Sequence, residues 1–555
     1  MVRVAQRVVR VAQRVVRRAQ RDASTATSRL LDPLRRPLPA SPLGVAEVVD
    51  GARLVGTVTV PPGAPAGEVA VYLNSTEIVR LPLIPTTGEP GTHEFRFKIR
   101  PLLRFARRTD RLTVRYDGAA LPFAGDGTVH RPAQHGRLPT WQLRRRLARG
   151  EIFSSDGILQ KPKHLDVEWQ QGVLGLYSRV REALHDIAGY DAFLIYGSLL
   201  GAVRDGGFIG HDTDLDAGYI SKHPAGADAG RELAEIGLAL VERGFRVECR
   251  VVTLHIYDLA ADGAHIDLFH TFFDDEGVLR FSWGVAGITD YRREHWTGAH
   301  EIDFAGARAL VPSEPEVMVA AMYGPGWRTP DPGFSWARDR TKREPSARVP
   351  AKLNTAVNWA DLHARAELGQ TSPFARWCLQ EPGLPRVVLD LGCGDGRDSV
   401  AFAAAGHAVV GLDAAATAIR RAESRPGAGG VRFRVLDFDD TAALRAEITA
   451  ARGGGEAVLF YGRQLLDSLH DDTAAALLDT LFDLAADADM IAFASRTTAP
   501  EKSPLRHRRP VDGAELEREL TARGFTVLRA ESTDFPASKA THQVIARRAA
   551  EAVAP

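Results

Sequence analysis

The stretch Ile-Gly-His-Asp-Thr-Asp-Leu-Asp-Ala at residues 209–217 is the most informative part of this 555-residue sequence. It places Asp212, Asp214 and Asp216 at alternate positions. On a β-strand, side chains two residues apart point to the same face of the sheet. Three carboxylates on one face repel one another unless a cation neutralises them. Oxygen ligands of this kind suit a hard divalent cation, so the stretch predicts a metal site.

Two neighbouring segments fit the same site. Residues 192–204 run from an apolar strand through Gly197 and Ser198 into a predicted helix. Small residues at such a turn let the backbone approach a substrate phosphate, and the helix N-terminus offers free N–H groups to it. A simple tight turn is the alternative interpretation. Residues 264–269 form an apolar strand whose single carboxylate, Asp267, is expected to approach the same metal.

Five ordered elements in the middle of the chain resemble the LicD/fukutin family of nucleotidyltransferase-fold proteins. They are G-S-L-L-G-A-V-R at 197–204, I-G-H-D-T-D-L-D at 209–216, I-D-L-F at 266–269, V-P at 311–312 and Y-G-P-G-W-R-T-P at 323–330. The resemblance covers residues 150–345. Thr213 departs from the unbroken acidic run common in the family, and His211 replaces a common aromatic residue. Neither change alters the alternation of the three aspartates.

The resemblance implies transfer of a phosphorylated alcohol, such as phosphocholine or a polyol phosphate, from a CDP-activated donor to a glycan or cell-surface polymer. It implies that Asp214 and Asp216 hold Mg²⁺ or Mn²⁺ on the donor diphosphate, with Asp212 as a further ligand on the same face. Asp267 would complete the metal cage or act as a general base. Arg204 would clamp a phosphate with two guanidinium nitrogens, although an exposed helix arginine gives the same sequence signal.

A second glycine-rich segment lies at residues 387–398, which read Val-Val-Leu-Asp-Leu-Gly-Cys-Gly-Asp-Gly-Arg-Asp. A buried strand carrying Asp390 opens into a turn with Gly392, Gly394 and Gly396 before an alanine-rich helix. Glycines in this position let a ligand lie against the backbone. The segment resembles motif I of class I methyltransferases, which implies S-adenosylmethionine as the cofactor.

Two further acids favour this cofactor over a dinucleotide, which the glycine-rich turn alone leaves open. Residues 408–413 read as a strand ending in Asp413, placed to accept hydrogen bonds from both ribose hydroxyls. Residues 431–437 end in Asp437, at the position that meets the adenine amine in methyltransferases. The base for methyl transfer is not evident from the sequence, and an acceptor that is already anionic needs none.

The N-terminal segments carry a different pattern. Residues 3–16 repeat Arg-Val-Ala-Gln-Arg-Val-Val twice and predict a basic amphipathic helix within residues 1–23. Such a helix would lie on anionic lipid, pair as a short coiled coil, or form a frayed basic tail. Residues 44–135 alternate apolar and polar side chains in short runs, which predicts an antiparallel β-sandwich. We prefer a structural or homodimer-forming role for it.

Composition excludes some functions and locations. Lys plus Arg and Asp plus Glu both total 70, so no global charge draws the protein to nucleic acid. The three cysteines are far apart in the sequence and predict neither disulfides nor a zinc site. With no signal peptide or apolar span evident, we expect a cytoplasmic protein, peripheral at the inner face of the plasma membrane if residues 1–23 bind lipid.

The predicted fold is multidomain. It comprises a basic helix and linker at 1–43, a β-sandwich at 44–135, an α+β nucleotidyltransferase-like LicD/fukutin domain at 150–345, a linker at 346–385 and an α/β Rossmann-like class I methyltransferase at 386–550. The predicted function is transfer of a phospho-alcohol to a cell wall glycopolymer such as teichoic acid, followed by methylation of the same product. Arg463 and His542 are candidates for the methyl-transfer base.

Two alternatives stay open at the level of the sequence. One is a nucleotidyltransferase that acts on a small acceptor and carries a separate methyltransferase activity. The other is a glycan-binding scaffold in which only the methyltransferase is active. A domain that only binds glycan does not need carboxylates such as Asp214 and Asp216 whose charges are not compensated by nearby basic residues. Their presence therefore argues against the scaffold.

Overall fold

The computed structural model describes residues 44–549, apart from residues 50, 63, 87–89, 126, 134–135, 155–156, 259–263, 288, 332–333, 335–346, 499–507 and 534–539. The predicted basic helix at 1–23 lies outside the described residues. The chain divides into two compact units, one formed by residues 1–162 with 326–335 and the other by residues 163–325 with 336–555. None of the described helices is long and apolar enough to cross a bilayer.

The first unit contains two four-stranded antiparallel sheets. Its strands are β1 (Gly44–Val49), β2 (Arg53–Thr59), β3 (Glu68–Leu73), β4 (Thr76–Pro82), β5 (Ile84–Pro85), β6 (Thr92–Lys98), β7 (Leu112–Tyr116) and β8 (Ala119–Ala120). One sheet has the order β1-β2-β6-β5 and the other β4-β3-β7-β8. Alternation places Phe95 and Phe97 of β6 in the same hydrophobic cluster as Val71 and Val114 of the second sheet.

Shorter elements extend this unit beyond the predicted boundary at residue 135. They are the helices α1 (Arg100–Leu103) and α2 (Thr140–Leu147) and the strands β9 (Ile152–Phe153) and β10 (Leu159–Gln160). Leu102, Leu143 and Leu159 are buried in the cluster that holds the two sheets. Because these leucines lose their apolar contacts if the chain is cut at 135, residues 140–160 belong to this unit.

The second unit begins with a mixed α+β domain. Its strands are β11 (Phe193–Leu194), β12 (Leu215–Ser221), β13 (Arg246–Cys249), β14 (Thr253–Tyr257), β15 (His265–Phe273), β16 (Leu279–Phe281), β17 (Ala299–Phe304) and β18 (Ala307–Pro312). Its helices are α3 (Val167–Ala188), α4 (Tyr196–Arg204), α5 (Gly226–Glu242) and α6 (Pro315–Tyr323). The main sheet has the order β11-β12-β15-β14-β13, with β16 also paired to β15. Its central pair, β12 and β15, is parallel.

The segment predicted as a linker at 346–385 is instead largely helical, forming α7 (Ala351–Arg365) and α8 (Pro373–Cys378). Asn358 on α7 accepts a hydrogen bond from the Cys249 N–H at 2.9 Å and donates one to the Cys249 carbonyl at 3.0 Å. Asp361 accepts from the Val247 N–H at 2.9 Å. These side chains satisfy the backbone of the edge strand β13, which explains why a polar segment that reads as a linker folds as a packed helix.

Replacing Asn358 by leucine is expected to destabilise this unit. Leucine has a similar volume but removes the acceptor of the buried Cys249 N–H, at a cost of about 1–3 kcal/mol, while the Cys249 carbonyl keeps its bond from Asn354. Urea unfolding followed by tryptophan fluorescence measures the shift. Leu362→Ala, at an exposed side chain on the same helix, is the matched control. Equal midpoints for both variants and the wild type would contradict the edge-covering role.

The C-terminal domain is a seven-stranded sheet in the order β21-β20-β19-β22-β23-β25-β24, parallel except for β25. The strands are β19 (Val387–Leu391), β20 (Ala408–Asp413), β21 (Val431–Val435), β22 (Val458–Arg463), β23 (Met490–Arg496), β24 (Phe525–Thr533) and β25 (Thr541–Arg548). The helices are α9 (Arg397–Ala404), α10 (Ala416–Glu423), α11 (Thr441–Arg452), α12 (Asp471–Leu484) and α13 (Gly513–Ala522). Strand order reverses between β19 and β22, where doubly wound sheets bind ligands.

Helix α7 also contacts this C-terminal domain. The Thr417 hydroxyl on α10 donates to the Ala360 carbonyl at 2.9 Å. Lys352 forms ion pairs with Asp439 at 2.8 Å and with Asp472 at 2.9 Å. One helix is therefore fixed to the edge of the mixed sheet and to the doubly wound domain, and it holds the two together.

Candidate functional site

Asp216 and Asp267 lie side by side on the two parallel strands at the centre of the mixed sheet. The register of β12 and β15 sets Asp216 opposite Asp267. Residues paired in this way on neighbouring strands project from the same face. The structure therefore brings the lone acid of the 264–269 segment to the acidic stretch.

The three alternating aspartates do not share one strand, contrary to the expectation from their spacing. Strand β12 begins at Leu215, so Asp212 and Asp214 lie in the loop before it. Pairing with β15 starts at Leu215, which lies opposite Ile266. The Asp214 carboxylate reaches the site from the loop: carboxylate oxygens of Asp214, Asp216 and Asp267 all lie within 4.8 Å of one another.

Asp212 stands beside this group and is not part of it. It lies near the start of α4, since a Cβ added to Gly197 would be 3.5 Å from the Asp212 Oδ2. Burial and the neighbouring Asp214 carboxylate raise the pKa of Asp212 to about 8. Its role as a metal ligand stays a prediction.

The electrostatics of the group favour a cation. Burial raises the pKa of Asp216 well above its ordinary value, and the carboxylates of Asp214 and Asp267 raise it further. Buried like charges this close destabilise the ionised forms unless a positive charge lies among them. Three carboxylates of this kind suit Mg²⁺ or Mn²⁺, so the residues fit the predicted metal.

Gly197 and Ser198 hold Asp216 in place. The Gly197 N–H donates to the Asp216 Oδ2 at 2.9 Å, and the Ser198 hydroxyl accepts from the Asp216 N–H at 2.9 Å. A Cβ on Gly197 would lie 3.0 Å from that carboxylate oxygen, which explains the need for glycine. Because both groups are engaged by Asp216, their contact with a substrate phosphate stays a prediction, and sequence reasoning missed their positioning role.

Tyr196, just before this glycine, has a left-handed backbone with φ of 45°. This conformation costs a non-glycine residue about 1 kcal/mol or more and persists where packing enforces it. The ring is buried against Phe269, with 4.9 Å between the centroids, and the hydroxyl accepts from the Trp283 N–H at 3.3 Å. The strained turn delivers the Gly197 N–H to Asp216.

Arg204 lies at the last turn of α4. Its guanidinium donates to both carboxylate oxygens of the adjacent Asp205, each at 2.8 Å. It is also close enough to Asp212 for its charge to oppose the rise in the pKa of that residue. The arginine is thus beside the acidic group, and its phosphate contact stays a prediction.

Two histidines on the same face were missed by the sequence reasoning. The Nε2 atom of His265 is 3.6 Å from Asp267 and 3.8 Å from Asp214, and the Nε2 atom of His255 is 3.5 Å from Asp267. Burial, together with the charges of Arg250 and His265, lowers the pKa of His255 to about 3, so it is neutral at physiological pH. The only sequence signal was His265 two residues before Asp267, and His255 joins them only through strand pairing.

In the C-terminal domain, the glycine-rich turn follows β19 as the sequence predicts. Gly392, Gly394 and Gly396 have φ values of 69°, 55° and 71°, which side-chain-bearing residues rarely adopt. The Gly394 N–H donates to the Asp413 Oδ2 at 3.0 Å, and the Ala415 N–H donates to the Asp413 Oδ1 at 2.9 Å. Asp413, the acid at the end of β20, therefore holds the glycine turn against the loop that follows β20.

Asp390 and Asp437 occupy different surroundings. Asp390 is buried in the middle of β19, accepts from the Ser399 hydroxyl at 2.5 Å, and has a pKa raised to about 7 chiefly by burial and by Asp398. Asp437 is exposed, two residues beyond the end of β21, and accepts from the Asp439 N–H at 3.0 Å. Asp390 thus joins β19 to the helix α9 that follows the glycine turn, whereas Asp437 is exposed.

Both candidates for a methyl-transfer base contact other side chains, and their role as a base stays a prediction. The Arg463 Nε donates to Asp398 at 2.9 Å. Burial lowers the pKa of the guanidinium, but the Asp398 carboxylate outweighs burial and raises this pKa, so the side chain stays protonated and does not accept a proton. The His542 Nδ1 lies 2.9 Å from the Ser532 hydroxyl, and the Nε2 lies 3.2 Å from Glu517. Its ring also packs on Gly513. These contacts give both side chains structural partners.

A mixed sheet with paired aspartates, joined to a doubly wound sheet with a glycine turn, indicates a multidomain transferase. Comparison with protein families agrees: residues 189–314 match the family described as LicD/FKTN/FKRP, nucleotidyltransferase domain, and residues 388–454 match the family described as methyltransferase domain. The predicted fusion of a LicD domain with a methyltransferase domain is confirmed. No curated protein matches the chain.

Similar solved structures include several methyltransferases. They include the magnesium protoporphyrin IX methyltransferase ChlM from Synechocystis PCC 6803 with bound SAM (21% identity, TM-score 0.24, 32% of this chain and 76% of that chain). An S-adenosylmethionine-dependent methyltransferase from Anabaena variabilis ATCC 29413 has 16% identity and a TM-score of 0.28 over 35% of this chain and 93% of that chain. The N-methyltransferase NodS from Bradyrhizobium japonicum WM9 has 15% identity and a TM-score of 0.27 over 34% of this chain and 98% of that chain.

Proposed function

We propose that the LicD domain transfers a phosphorylated alcohol from a CDP-activated donor to a hydroxyl group of a glycan or cell-surface polymer. The observation that carries this proposal is the group of Asp214, Asp216 and Asp267, whose carboxylate oxygens lie within 4.8 Å of one another. Family membership of the domain supports the reaction class. A divalent cation held by these carboxylates would neutralise charge on the donor diphosphate and favour departure of CMP.

The residues of this chain would orient the reactants. The acceptor hydroxyl oxygen would bond to the phosphorus that carries the alcohol, and CMP would leave with the bridging oxygen. Gly197 and Ser198 keep Asp216 in position. Arg204, beside the acidic group, would donate to a phosphate oxygen. Asp267, if it is not saturated as a metal ligand, would accept the proton from the acceptor hydroxyl.

We propose further that the C-terminal domain binds S-adenosylmethionine, the donor of the methyl group, and methylates the same product. Asp413 would accept hydrogen bonds from the ribose hydroxyls, since it lies at the end of β20 beside the glycine turn. Asp437 would meet the adenine amine. Asp390, which accepts from the Ser399 hydroxyl, would hold the strand and the helix on either side of the turn. An anionic acceptor would need no base, which agrees with the engaged side chains of Arg463 and His542.

The shared helix α7 supports a joint function for the two domains. Because Asn358 contacts the mixed sheet and Ala360 contacts α10, the two domains stay at a fixed separation. An acceptor modified by the first domain would then be at high effective concentration for the second. We propose in addition that the protein is cytoplasmic and that residues 1–23 contact lipid. The first unit would form a homodimer.

The test is CMP release from CDP-choline, CDP-glycerol and CDP-ribitol with a glycan acceptor, in Mg²⁺ or Mn²⁺ and after removal of the metal with EDTA. We expect release from one donor, reduced at least about 100-fold by EDTA and restored by excess metal. Pyrophosphate release from a nucleoside triphosphate instead would favour the nucleotidyltransferase alternative. No turnover of either kind, together with retained glycan binding, would favour the scaffold.

A further inference from the structure

We propose that His255, His265 and Asp267 form a second divalent-metal site, adjacent to the three-carboxylate site and sharing Asp267 with it. Ligand atoms of the two imidazoles and the carboxylate all lie within 4.8 Å of one another. The inference rests on the proposed function in one respect, because Asp267 belongs to both groups. The evidence for the second site comes from the two histidines, which are not part of the carboxylate group. It adds a nitrogen-ligated ion to a site whose other ligands are carboxylates.

Strand pairing brings the three side chains together. The antiparallel register of β14 and β15 sets His255 opposite Asp267. His265 lies two residues before Asp267 on β15, so the two project from the same face. The sheet backbone thus brings the three side chains close together, and their approach does not depend on the rotamer of one long side chain. A metal site requires rigid support of this kind.

The distances fit a metal better than a direct hydrogen bond. The His255 Nε2 is 3.5 Å and the His265 Nε2 is 3.6 Å from oxygens of Asp267, beyond the ~2.7–3.2 Å of a protein N–H···O bond. Ligands bound tetrahedrally at ~2.1 Å from an ion stand ~3.4 Å apart. The separations of the two nitrogens from the carboxylate oxygens therefore match the separation of two ligand atoms bound to the same ion.

The two imidazole rings support the same interpretation. They stack with centroids 5.6 Å apart and planes inclined by 20°, so both rings present an edge nitrogen to Asp267. The side chains of His255, His265 and Asp267 are 21%, 19% and 12% exposed, which leaves a path for an ion to enter. Buried packing histidines, such as His270 with its bond to the Ala347 carbonyl, lack this opening.

Ligand chemistry distinguishes the two sites. Imidazole favours Zn²⁺, Fe²⁺, Ni²⁺ and Cu²⁺, whereas carboxylates alone favour Mg²⁺, Ca²⁺ or Mn²⁺. The His265 Nε2 lies 3.8 Å from the Asp214 Oδ2, so the two sites are neighbours.

The experiment counts Co²⁺ ions bound to the tag-free, metal-depleted full chain, by elemental analysis after gel filtration and by the visible absorption of Co²⁺ bound to nitrogen. Variants are His255→Gln, His265→Gln and Asp214→Asn, with the exposed His300→Gln as the matched control. We expect two ions in the wild type and in the control. Each of the first two variants should lose one ion, with its absorption, or bind it at least about 10-fold more weakly.

The outcomes separate this inference from the proposed function. The wild type could bind a single ion that is lost in His255→Gln and kept in Asp214→Asn. This result would support the histidine site and count against the carboxylate site. Ion number and absorption that neither histidine variant changes would overturn the histidine site. S-adenosylhomocysteine binding by each variant checks that the chain is folded, and a variant that fails this check is replaced by the corresponding asparagine substitution.

Discussion

Asp216→Asn is expected to lower CMP release at least about 100-fold while S-adenosylhomocysteine binding is unchanged. Asparagine preserves the volume and can still accept from the Gly197 N–H, but it removes one of the three charges that would hold the metal. The loss should therefore fall on kcat. Donor-dependent CMP release and calorimetric titration with S-adenosylhomocysteine measure the two activities in the same preparation.

Stability provides a second readout for this variant. Burial and neighbouring carboxylates raise the pKa of Asp216, so its ionised form destabilises the metal-free fold increasingly as pH rises above the ordinary carboxyl range. The neutral asparagine removes that cost. Metal-free Asp216→Asn should thus be at least as stable as the wild type at pH 8. Asp186→Asn, at an exposed residue paired with Arg243, is the control. Full CMP release by Asp216→Asn would exclude Asp216 from the site.

Asp413→Asn should raise the dissociation constant for S-adenosylhomocysteine about 10- to 100-fold and leave CMP release intact. The carboxylate accepts from the Gly394 and Ala415 N–H groups, and an amide offers only one accepting oxygen. Loss of a hydrogen bond to a charged group costs about 1.5–3 kcal/mol, which corresponds to this range. Calorimetric titration measures the change.

The control for the second prediction is Asp479→Asn, since Asp479 is exposed and pairs with Arg523 at the surface. Its affinity for S-adenosylhomocysteine should equal that of the wild type. Together with Asp216→Asn, the pair forms a crossed test, because each variant should impair one domain only. Unchanged affinity in Asp413→Asn would remove this residue from the cofactor site.

Local sequence patterns predicted the elements that carry their own signal. The run 387–398 predicted β19, its turn and the helix after it, because consecutive apolar residues followed by three glycines suit few other conformations. The acid that ends β20 was found by its distance along the chain from those glycines. In the LicD domain, the order of the short motifs was sufficient to identify the domain.

Patterns that depend on pairing were predicted less well. The spacing of Asp212, Asp214 and Asp216 suggested one strand, but a strand begins only where a partner accepts its hydrogen bonds, and that is at Leu215. Helix α7 was interpreted as a linker because its polar residues have their partners on β13, far away in the sequence.

The sequence by itself determined that the chain joins a LicD domain to a methyltransferase domain, because both rest on short contiguous motifs. The tertiary structure decided which side chains lie together at the candidate site. It set Asp216 beside Asp267, brought Asp214 in from a loop, and added His255 from a third strand. The physical reason is register: which residues of two strands face each other depends on packing across the whole sheet, and no local stretch of sequence contains that information.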